Sequence, residues 1–325
     1  MKQLVLFHRN QNSGYSMNKV CQNYLKHFSN YSEYYMPYNG VSPKGIINNL
    51  IYTYKNRTTE GINHVTGDVH YCILALIGCT SVLTVHDTVT LDFNKTSFFK
   101  KKIIEYLWFR LPLKFATKVV CISVKTKNEI QKYTNRTDIE VIYNSVEDEI
   151  QCQQFRIISV PFRVLLIGTK ENKNLIRTFE ALKDLSCEIT IIGKLSDNQL
   201  SFLESNKMNY CAKRNLSDEE LRKEYYKTDI VSFCSLYEGF GMPVIEANKA
   251  GKIVLCSNID VLKEIAGNGS YLVNPYDVTE IRRGFEILSS DCAIQQDYYV
   301  RGVENAKKYS TKKIASIWKQ FYNSL

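Results

Sequence analysis

The chain has 325 residues, of which 44% are hydrophobic and 23% charged, and its formal charge is +9. This composition is typical of a folded globular protein and excludes a disordered chain or a collagen-like fibre. The length favours two domains over one. The first residues hold only a short apolar run, and no uncharged stretch approaches the roughly 20 residues that span a bilayer. We therefore expect a cytoplasmic protein, either soluble or peripheral on the inner face of the plasma membrane.

The ten cysteines are scattered, with no CxxC pair and no zinc-finger spacing. Several lie inside apolar runs, which predicts buried, reduced thiols typical of the cytoplasm. A basic chain is suited to nucleic acid, to anionic membranes or to phosphorylated ligands. No nucleic-acid-binding module is recognisable, so we predict no nucleic-acid partner.

Short apolar runs alternate with helical patterns, which is typical of parallel sheets covered by helices. A helix with Ser16 as its cap should follow the first strand. A polar stretch after about Asn144 predicts a linker. The predicted strands of the first half are Leu4–Phe7, Val69–Leu74, Val82–Val85, Val119–Ile122 and Val141–Tyr143.

The alternation restarts beyond the linker, so a second α/β half is predicted. An apolar face that starts at Leu175 indicates its first helix, and residues 311–322 form an amphipathic C-terminal helix. The predicted strands are Val164–Ile167, Ile189–Ile192, Ile230–Phe233, Ile253–Cys256 and Tyr271–Val273. In open α/β sheets, ligands bind beyond the carboxyl ends of the strands. Two such domains facing each other would form a cleft, where we expect the active site.

The most informative segment is SLYEGFGMPVIEA, residues 235–247, directly after a predicted strand. Pro243 suits the first turn of a helix and Gly251 suits its end. The glycines before the helix allow a ligand to approach the backbone N–H groups closely. Glu238 and Glu246 are suited to accept hydrogen bonds from vicinal hydroxyls of a sugar and a ribose.

This segment resembles the signature of retaining GT-B glycosyltransferases of the group 1 class, also called family 4, with its two glutamates separated by seven residues. The resemblance covers nearly the whole chain. It implies two Rossmann-like domains: residues 1–150 as acceptor domain, 155–307 as donor domain, with a helix of about 308–325 packing back on the first. It also implies that Glu238 contacts the donor sugar and Glu246 the ribose, with donor contacts from Gly239, Phe240 and Gly241.

Other stretches extend the resemblance. Residues 164–175, VLLIGTKENKNL, resemble a strand, a Gly-Thr turn and a Lys-Asn helix start, which implies that Lys173 meets the donor diphosphate. The family often has Arg before this Lys, but here Asn172 stands there, so Lys170 or Lys194 would have to supply a second cation. His86, in VLTVHD, would face the donor sugar, and Gly14 would approach the donor phosphate.

The resemblance implies sugar transfer with retention of anomeric configuration. The departing phosphate would help to deprotonate the acceptor, and the transition state would have oxocarbenium character. No Asp-x-Asp motif is present, so we expect a metal-independent enzyme without a cofactor, in which the nucleotide-sugar is a donor substrate. The implied acceptor is a glycan or a polyprenyl-linked glycan, and the implied setting is bacterial surface polysaccharide biosynthesis.

Residues 97–118, SFFKKKIIEYLWFRLPLKFATK, combine lysines and arginine with aromatic side chains. Such a segment is suited to lie on an anionic membrane surface. A core-packed helix with solvated lysines explains the same pattern, and both interpretations remain open here.

Two alternatives share the fold and the donor. A GT-B nucleotide-sugar epimerase would interconvert the sugar without an acceptor. A catalytically inactive module would bind the nucleotide-sugar without turning it over.

Overall fold

The structure is a computed structural model that describes residues 2–11, 15–39, 42–88 and 98–325; side chains are described except those of 15–18 and 98–100. The chain divides into two compact units, Met1–Ser145 with Thr311–Leu325, and Val146–Ser310. Each contains one six-stranded parallel sheet. The predicted pair of Rossmann-like α/β halves is confirmed.

The sheet of the first unit has the strand order β2-β1-β3-β4-β5-β6. Its strands are β1 Leu4–His8, β2 Tyr31–Tyr35, β3 Ile62–Val65, β4 Ser81–Val85, β5 Lys118–Cys121 and β6 Ile139–Val141. Its α-helices are α1 Tyr15–Leu25, α2 Pro43–Asn56, α3 Phe98–Ile104, α4 Leu111–Phe115, α5 Val124–Ile130 and, from the end of the chain, α13 Thr311–Asn323. A π-helix, Glu105–Arg110, joins α3 to α4, and short 3-10 helices span His70–Leu76 and Gln131–Tyr133.

Three predictions for this unit need correction. The run predicted as strand Val69–Leu74 is a 3-10 helix, His70–Leu76, buried beneath α2 and the π-helix. The last strand ends at Val141, two residues before the predicted end. Helix α1 already begins at Tyr15, so Ser16 lies in its first turn rather than at its cap.

The two faces of this sheet have different covers. One face packs against α2, the 3-10 helix and the π-helix, with Phe7, Tyr71 and Trp108 in its core. The other face packs against α1 and α13, where the rings of Tyr24 and Trp318 stack 5.4 Å apart. The terminal helix therefore belongs to the first unit, and the apolar face of this helix holds it there.

The sheet of the second unit has the order β12-β11-β10-β7-β8-β9. Counted within the unit, this is the order 3-2-1-4-5-6 read backwards, the doubly wound pattern of dinucleotide-binding domains. The strands are β7 Phe162–Ile167, β8 Cys187–Ile192, β9 Tyr210–Lys213, β10 Ile230–Phe233, β11 Ile253–Ser257 and β12 Tyr271–Val273. The α-helices are α6 Leu175–Leu182, α7 Asp197–Ser205, α8 Asp218–Lys227, α9 Met242–Lys249, α10 Asp260–Ala266, α11 Val278–Ser290 and α12 Cys292–Lys307.

The order of the second sheet reverses between β7 and β10, which pair in parallel. Loops that leave the carboxyl ends of two such strands diverge to opposite faces of the sheet, and the crevice between them is the usual ligand site. Lys173 and Glu238 lie in these two loops. The fold therefore places the predicted donor residues at the topological switch point.

The cysteines are free thiols, but they do not share one environment. Six are buried, Cys79 is partly exposed, and Cys152, Cys211 and Cys292 are exposed. The prediction of buried thiols is thus wrong for the last three.

His70 makes the stability of the first unit depend on pH. Burial lowers the pKa of His70 to about 4, although its Nδ1 donates to the Trp108 carbonyl oxygen at 2.7 Å. A folded-state pKa below the ordinary 6.5 stabilises the fold above pH 6.5, and this stabilisation is lost as the pH falls towards 4.

The variant His70→Asn keeps a donor near Trp108 but cannot titrate. We predict that lowering the pH from 7 to 5 reduces the unfolding free energy of this variant by about 2 kcal/mol less than it reduces that of the natural protein. Urea unfolding followed by tryptophan fluorescence measures this, because both tryptophans, Trp108 and Trp318, lie in the first unit. Equal losses in the two proteins would contradict the assignment.

Candidate functional site

The loop after β10 is held in place by Gly241 and Phe240. Gly241 precedes α9 with a φ of +108°, and a Cβ at this position would lie 2.6 Å from Leu262 Cδ2. Only glycine fits both the backbone conformation and the space. The Phe240 ring is buried against Tyr309, with ring centroids 6.0 Å apart. Phe240 thus anchors the loop.

Lys173 and Glu238 form an ion pair at the switch point. Lys173 Nζ lies 2.6 Å from Glu238 Oε1, and the two side chains are only 19% and 13% exposed. The ammonium also lies 4.4 Å from the centroid of the Phe233 ring. A charge-assisted hydrogen bond with so little solvent around it is strong and directional. The pair therefore offers a cation to a phosphate and a carboxylate to sugar hydroxyls within one small volume.

Two asparagines fix the short 3-10 turn that carries Lys173, residues Glu171–Lys173. Asn172 Nδ2 donates to the Tyr237 carbonyl oxygen at 3.0 Å, and the Leu236 N–H donates to the Asn172 carbonyl oxygen at 2.8 Å. Asn174 has the left-handed φ of +58°, and its buried Nδ2 donates to Cys234 and Pro275 carbonyl oxygens. The lysine is thereby tied to the loop of its partner glutamate.

One of these asparagines stands where the sequence resemblance led us to expect an arginine. Asn172 bridges the two loops, so it has a positioning role where the family often has Arg. Lys170 and Lys194, the predicted substitutes for a second cation, are exposed on the loops after β7 and β8. The Lys-Asn pair in the sequence was the only signal for Asn174, and nothing in the pattern predicted its left-handed conformation.

Glu246 is held by a tyrosine that the sequence analysis did not identify. The Tyr225 hydroxyl donates to Glu246 Oε2 at 2.6 Å, and Tyr225 is 1% exposed. Burial, followed by the nearby Glu246 charge, raises the pKa of Tyr225 well above its usual range, so Tyr225 stays protonated and acts as a donor. A capping box of Ser217 and Glu220 begins the helix that carries this tyrosine.

His86 lies in the first unit, directly after β4, and is buried. Its Nε2 lies 2.7 Å from the Thr66 carbonyl oxygen, which only accepts, so the proton is on Nε2. Burial lowers the pKa of His86. His86 is therefore a neutral imidazole at neutral pH, and Nδ1 carries its lone pair.

Thr66 also contacts His8, which ends β1. His8 Nδ1 lies 2.7 Å from Thr66 Oγ1, and its Nε2 lies 3.1 Å from Glu33 Oε1. Burial opposes the charge on His8, but Cys21 and Glu33 outweigh burial and raise the pKa of His8 to about 9. At the carboxyl edge of the first sheet, a charged His8 and a neutral His86 thus contact the same residue, Thr66.

The remaining predicted residues are Gly14 and those of the basic aromatic segment, residues 97–118. Gly14 lies outside the described residues, and so does Ser97, the first residue of the basic aromatic segment. Within that segment, Trp108 and Phe109 are buried in the core, whereas Ile103, Tyr106 and Phe115 are exposed. Glu105 pairs with Lys102 and Arg110 at 3.0 and 2.6 Å. None of the helices in the described part of the chain is both long and apolar enough to cross a bilayer.

Residues 161–309 match the family model described as glycosyl transferases group 1, and residues 62–150 match that described as glycosyltransferase family 4. A serotype-specific mannosyltransferase of Escherichia coli is 34% identical over 102 residues, which cover 31% of this chain and 12% of that protein. An O-antigen chain mannosyltransferase of Salmonella typhimurium is 29% identical over 222 residues, which cover 60% of this chain and 61% of that protein. The matched part is less than two thirds of either relative.

A crystal structure of an Anabaena protein in complex with UDP and glucose resembles this chain with a TM-score of 0.75 at 13% identity, covering 99% of this chain and 100% of the other. This likeness concerns the fold and supports the predicted GT-B type with two Rossmann-like domains. The two family models together match parts of both sheets. Over these parts the chain is similar to glycosyl transferases of the group 1 class.

Proposed function

We propose that the protein is a retaining, metal-independent glycosyltransferase that moves a sugar from a nucleotide-diphosphate donor to a glycan or polyprenyl-linked acceptor. The observation that carries this proposal is the Lys173–Glu238 pair, 2.6 Å apart at the switch point of the second sheet. The O-antigen relative, itself a mannosyltransferase, supports bacterial surface polysaccharide synthesis as the setting.

The donor assignment follows from the chemistry of the site. A diphosphate would draw Lys173 towards its oxygens, and the sugar hydroxyls would donate to Glu238. The N–H groups around Gly239 and Gly241, at the start of α9, favour an anionic or hydroxylated ligand. Glu246 would accept from the ribose, and the Anabaena structure with UDP and glucose supports a nucleotide-sugar of this kind.

The proposed chemistry depends on the stabilisation of a leaving diphosphate. As the glycosidic bond to the diphosphate breaks, negative charge grows on the phosphate oxygen, and the Lys173 ammonium stabilises that charge. Glu238 holds the sugar, whose ring gains oxocarbenium character. The departing phosphate takes the proton of the acceptor hydroxyl as the new bond forms on the same face. A neutral His86 would orient the donor sugar through its Nδ1 lone pair.

Lys173 and Glu238 should act as one unit. We predict that Lys173→Ala and Glu238→Gln each lower kcat about 100- to 1000-fold, because each change removes stabilisation that is strongest in the transition state. The double variant should be little worse than the worse single variant, because residues that act together are not additive. Steady-state release of the nucleotide in the presence of acceptor measures these effects.

Lys312→Ala is the control for these variants, since Lys312 is an exposed lysine on α13, outside both loops of the proposed site. It should keep kcat within about twofold. Full activity in both Lys173→Ala and Glu238→Gln would contradict the proposed site, provided that circular dichroism shows all variants folded.

Tyr225 should act through Glu246 on the ribose. We predict that Tyr225→Phe weakens the binding of the preferred nucleoside diphosphate about tenfold, the effect of losing one hydrogen bond to a charged group. The penalty should vanish for the 2′,3′-dideoxy form of the same nucleotide, because that ligand has no ribose hydroxyls to present. Calorimetry with UDP, GDP, ADP and CMP selects the nucleotide and then measures both effects.

Tyr226→Phe is the control, because its hydroxyl lies on the same helix and accepts from the Gln151 N–H at 2.9 Å. Glu246→Ala should lose the same ribose-dependent affinity as Tyr225→Phe, or more. An equal penalty for ribose and dideoxyribose ligands would show that Tyr225 supports the fold without positioning Glu246 for the ribose.

We also propose that the basic aromatic segment, residues 97–118, touches an anionic membrane surface, which would bring the protein to a polyprenyl-linked acceptor. Exposed Ile103, Tyr106 and Phe115 supply apolar contact, and exposed Lys101 and Lys114 supply charge. The two interpretations of this segment are therefore compatible, since different side chains carry them.

Replacing Lys100, Lys101 and Lys102 with Glu should abolish co-sedimentation with vesicles that contain anionic lipid, because juxtamembrane lysines are attracted to their surface potential. The control reverses three other exposed lysines, Lys170, Lys312 and Lys313, and should still sediment. Unchanged binding of the first variant would rule out this surface as the membrane contact.

A further inference from the structure

A second cavity lies at the opposite edge of the donor sheet, where β7, β10 and β11 begin. Its volume is about 250 Å³, room for several water molecules. Arg163 lies near the start of β7, Asp229 directly precedes β10 and Lys252 directly precedes β11, and all three line the cavity. Lys173 and Glu238 follow the carboxyl ends of β7 and β10, so this cavity is separate from the proposed donor site.

The wall of the cavity opposite the strands comes from the chain segment that leads into β7, including Gln153 and Arg156. Gly251 permits this arrangement, because its φ is +71° and a Cβ there would lie 2.7 Å from the Gln153 carbonyl oxygen. Tyr299, on α12, donates to the same carbonyl oxygen at 3.0 Å. The segment is thus fastened close to the sheet, and the cavity is a defined feature of the fold.

Three cationic side chains and one carboxylate line this cavity. Asp229 is fully engaged by Arg163, which contacts Oδ2 through Nε at 2.9 Å and Oδ1 through Nη2 at 2.7 Å. Lys252 Nζ donates to the Tyr226 carbonyl oxygen at 2.9 Å. Neither Lys252 nor Arg156 has a carboxylate within ion-pair distance in the described part of the chain. Two positive charges in the cavity therefore lack an anion.

Of these two positive charges, that of Lys252 costs the fold more free energy, because Lys252 is half-buried. Burial lowers the pKa of Lys252; Asp229 works against that effect, and Arg163 and Arg156 add to it. A partly desolvated ammonium that lies beside two guanidinium groups is stabilised when an anion binds next to it.

We propose that this cavity binds a phosphate group, free or as a phosphomonoester, held by Lys252 and Arg156 with Arg163 beside them. Phosphate oxygens accept charge-assisted hydrogen bonds from both ammonium and guanidinium groups. A phosphate dianion would balance the two charges that lack a partner. The rest of the volume, lined by Gln154, Phe155 and Tyr226, leaves room for a small polyol on the phosphate.

The test is calorimetric titration of the full chain with inorganic phosphate and, separately, with glucose 1-phosphate. We expect saturable binding of at least one of them, weakened tenfold or more in the double variant Lys252→Gln with Arg156→Gln. The matched control, Lys312→Gln with Lys313→Gln, removes the same charge from exposed positions of the first unit and should bind as the natural protein does.

Lys173→Ala separates this cavity from the proposed donor site. Phosphate binding that survives in Lys173→Ala and fails in the Lys252 and Arg156 variant supports the cavity, whatever becomes of the proposed sugar transfer. Absence of saturable binding, equal binding by all variants, or loss in Lys173→Ala alone would each overturn the proposal. Tighter binding of glucose 1-phosphate than of phosphate would identify the ligand as a sugar phosphate, and the reverse order as phosphate itself.

Discussion

The proposed donor site depends on the contact between Lys173 and Glu238. A parallel sheet with the order 3-2-1-4-5-6 separates the loops after β7 and β10, and side chains from these loops must cross the crevice to meet. Here an ammonium and a carboxylate meet at 2.6 Å with little solvent around them. Two such charges are costly to desolvate unless their geometry is well supported. The support comes from Asn172 and Asn174, which bond the lysine loop to the backbone of the glutamate loop.

The same principle explains the second carboxylate. Glu246 lies a turn into α9, and one of its oxygens is occupied by the Tyr225 hydroxyl. A buried donor that holds one oxygen fixes the direction of the carboxylate, which in the proposed enzyme would orient Glu246 toward the ribose hydroxyls. In the proposed enzyme, neutral neighbours therefore position two of these charges: asparagines fix the loop of Lys173, and Tyr225 holds Glu246.

Much of the fold could be predicted from periodicity, and the failures have physical causes. The apolar run HYCILAL, residues 70–76, is buried all round, so its pattern does not distinguish a strand from a short helix. Strand β3 was missed because Asn63 and His64 interrupt its hydrophobicity; both are buried and hydrogen-bonded, His64 to Tyr322 and Thr84. Strand β2 is an edge strand with half-exposed side chains on both faces, so it has no clear alternation.

The candidate site likewise contains residues that the sequence predicts and residues that it does not predict. Glu238 and Glu246 were identified because their spacing around a glycine-rich turn resembles a family signature, and Lys173 and His86 because their segments resemble other parts of that family. The positioning residues, Asn172, Asn174 and Tyr225, form hydrogen bonds to groups 21 to 101 residues away. Such pairings depend on how the strands are ordered, and no local pattern encodes them. The cavity around Lys252 was invisible for the same reason, because its charges come from four separate segments.

We propose above that the protein transfers a sugar. The most direct measurement follows the anomeric protons of a panel of nucleotide-sugars by NMR, with and without a polyprenyl-linked glycan. The account predicts that one donor signal disappears only when acceptor is present, that a glycoside signal of the same anomeric configuration replaces it, and that Glu238→Gln abolishes the change. New nucleotide-sugar signals without acceptor would identify an epimerase instead. A donor that binds but never changes would identify a binding module, and either result would contradict the account.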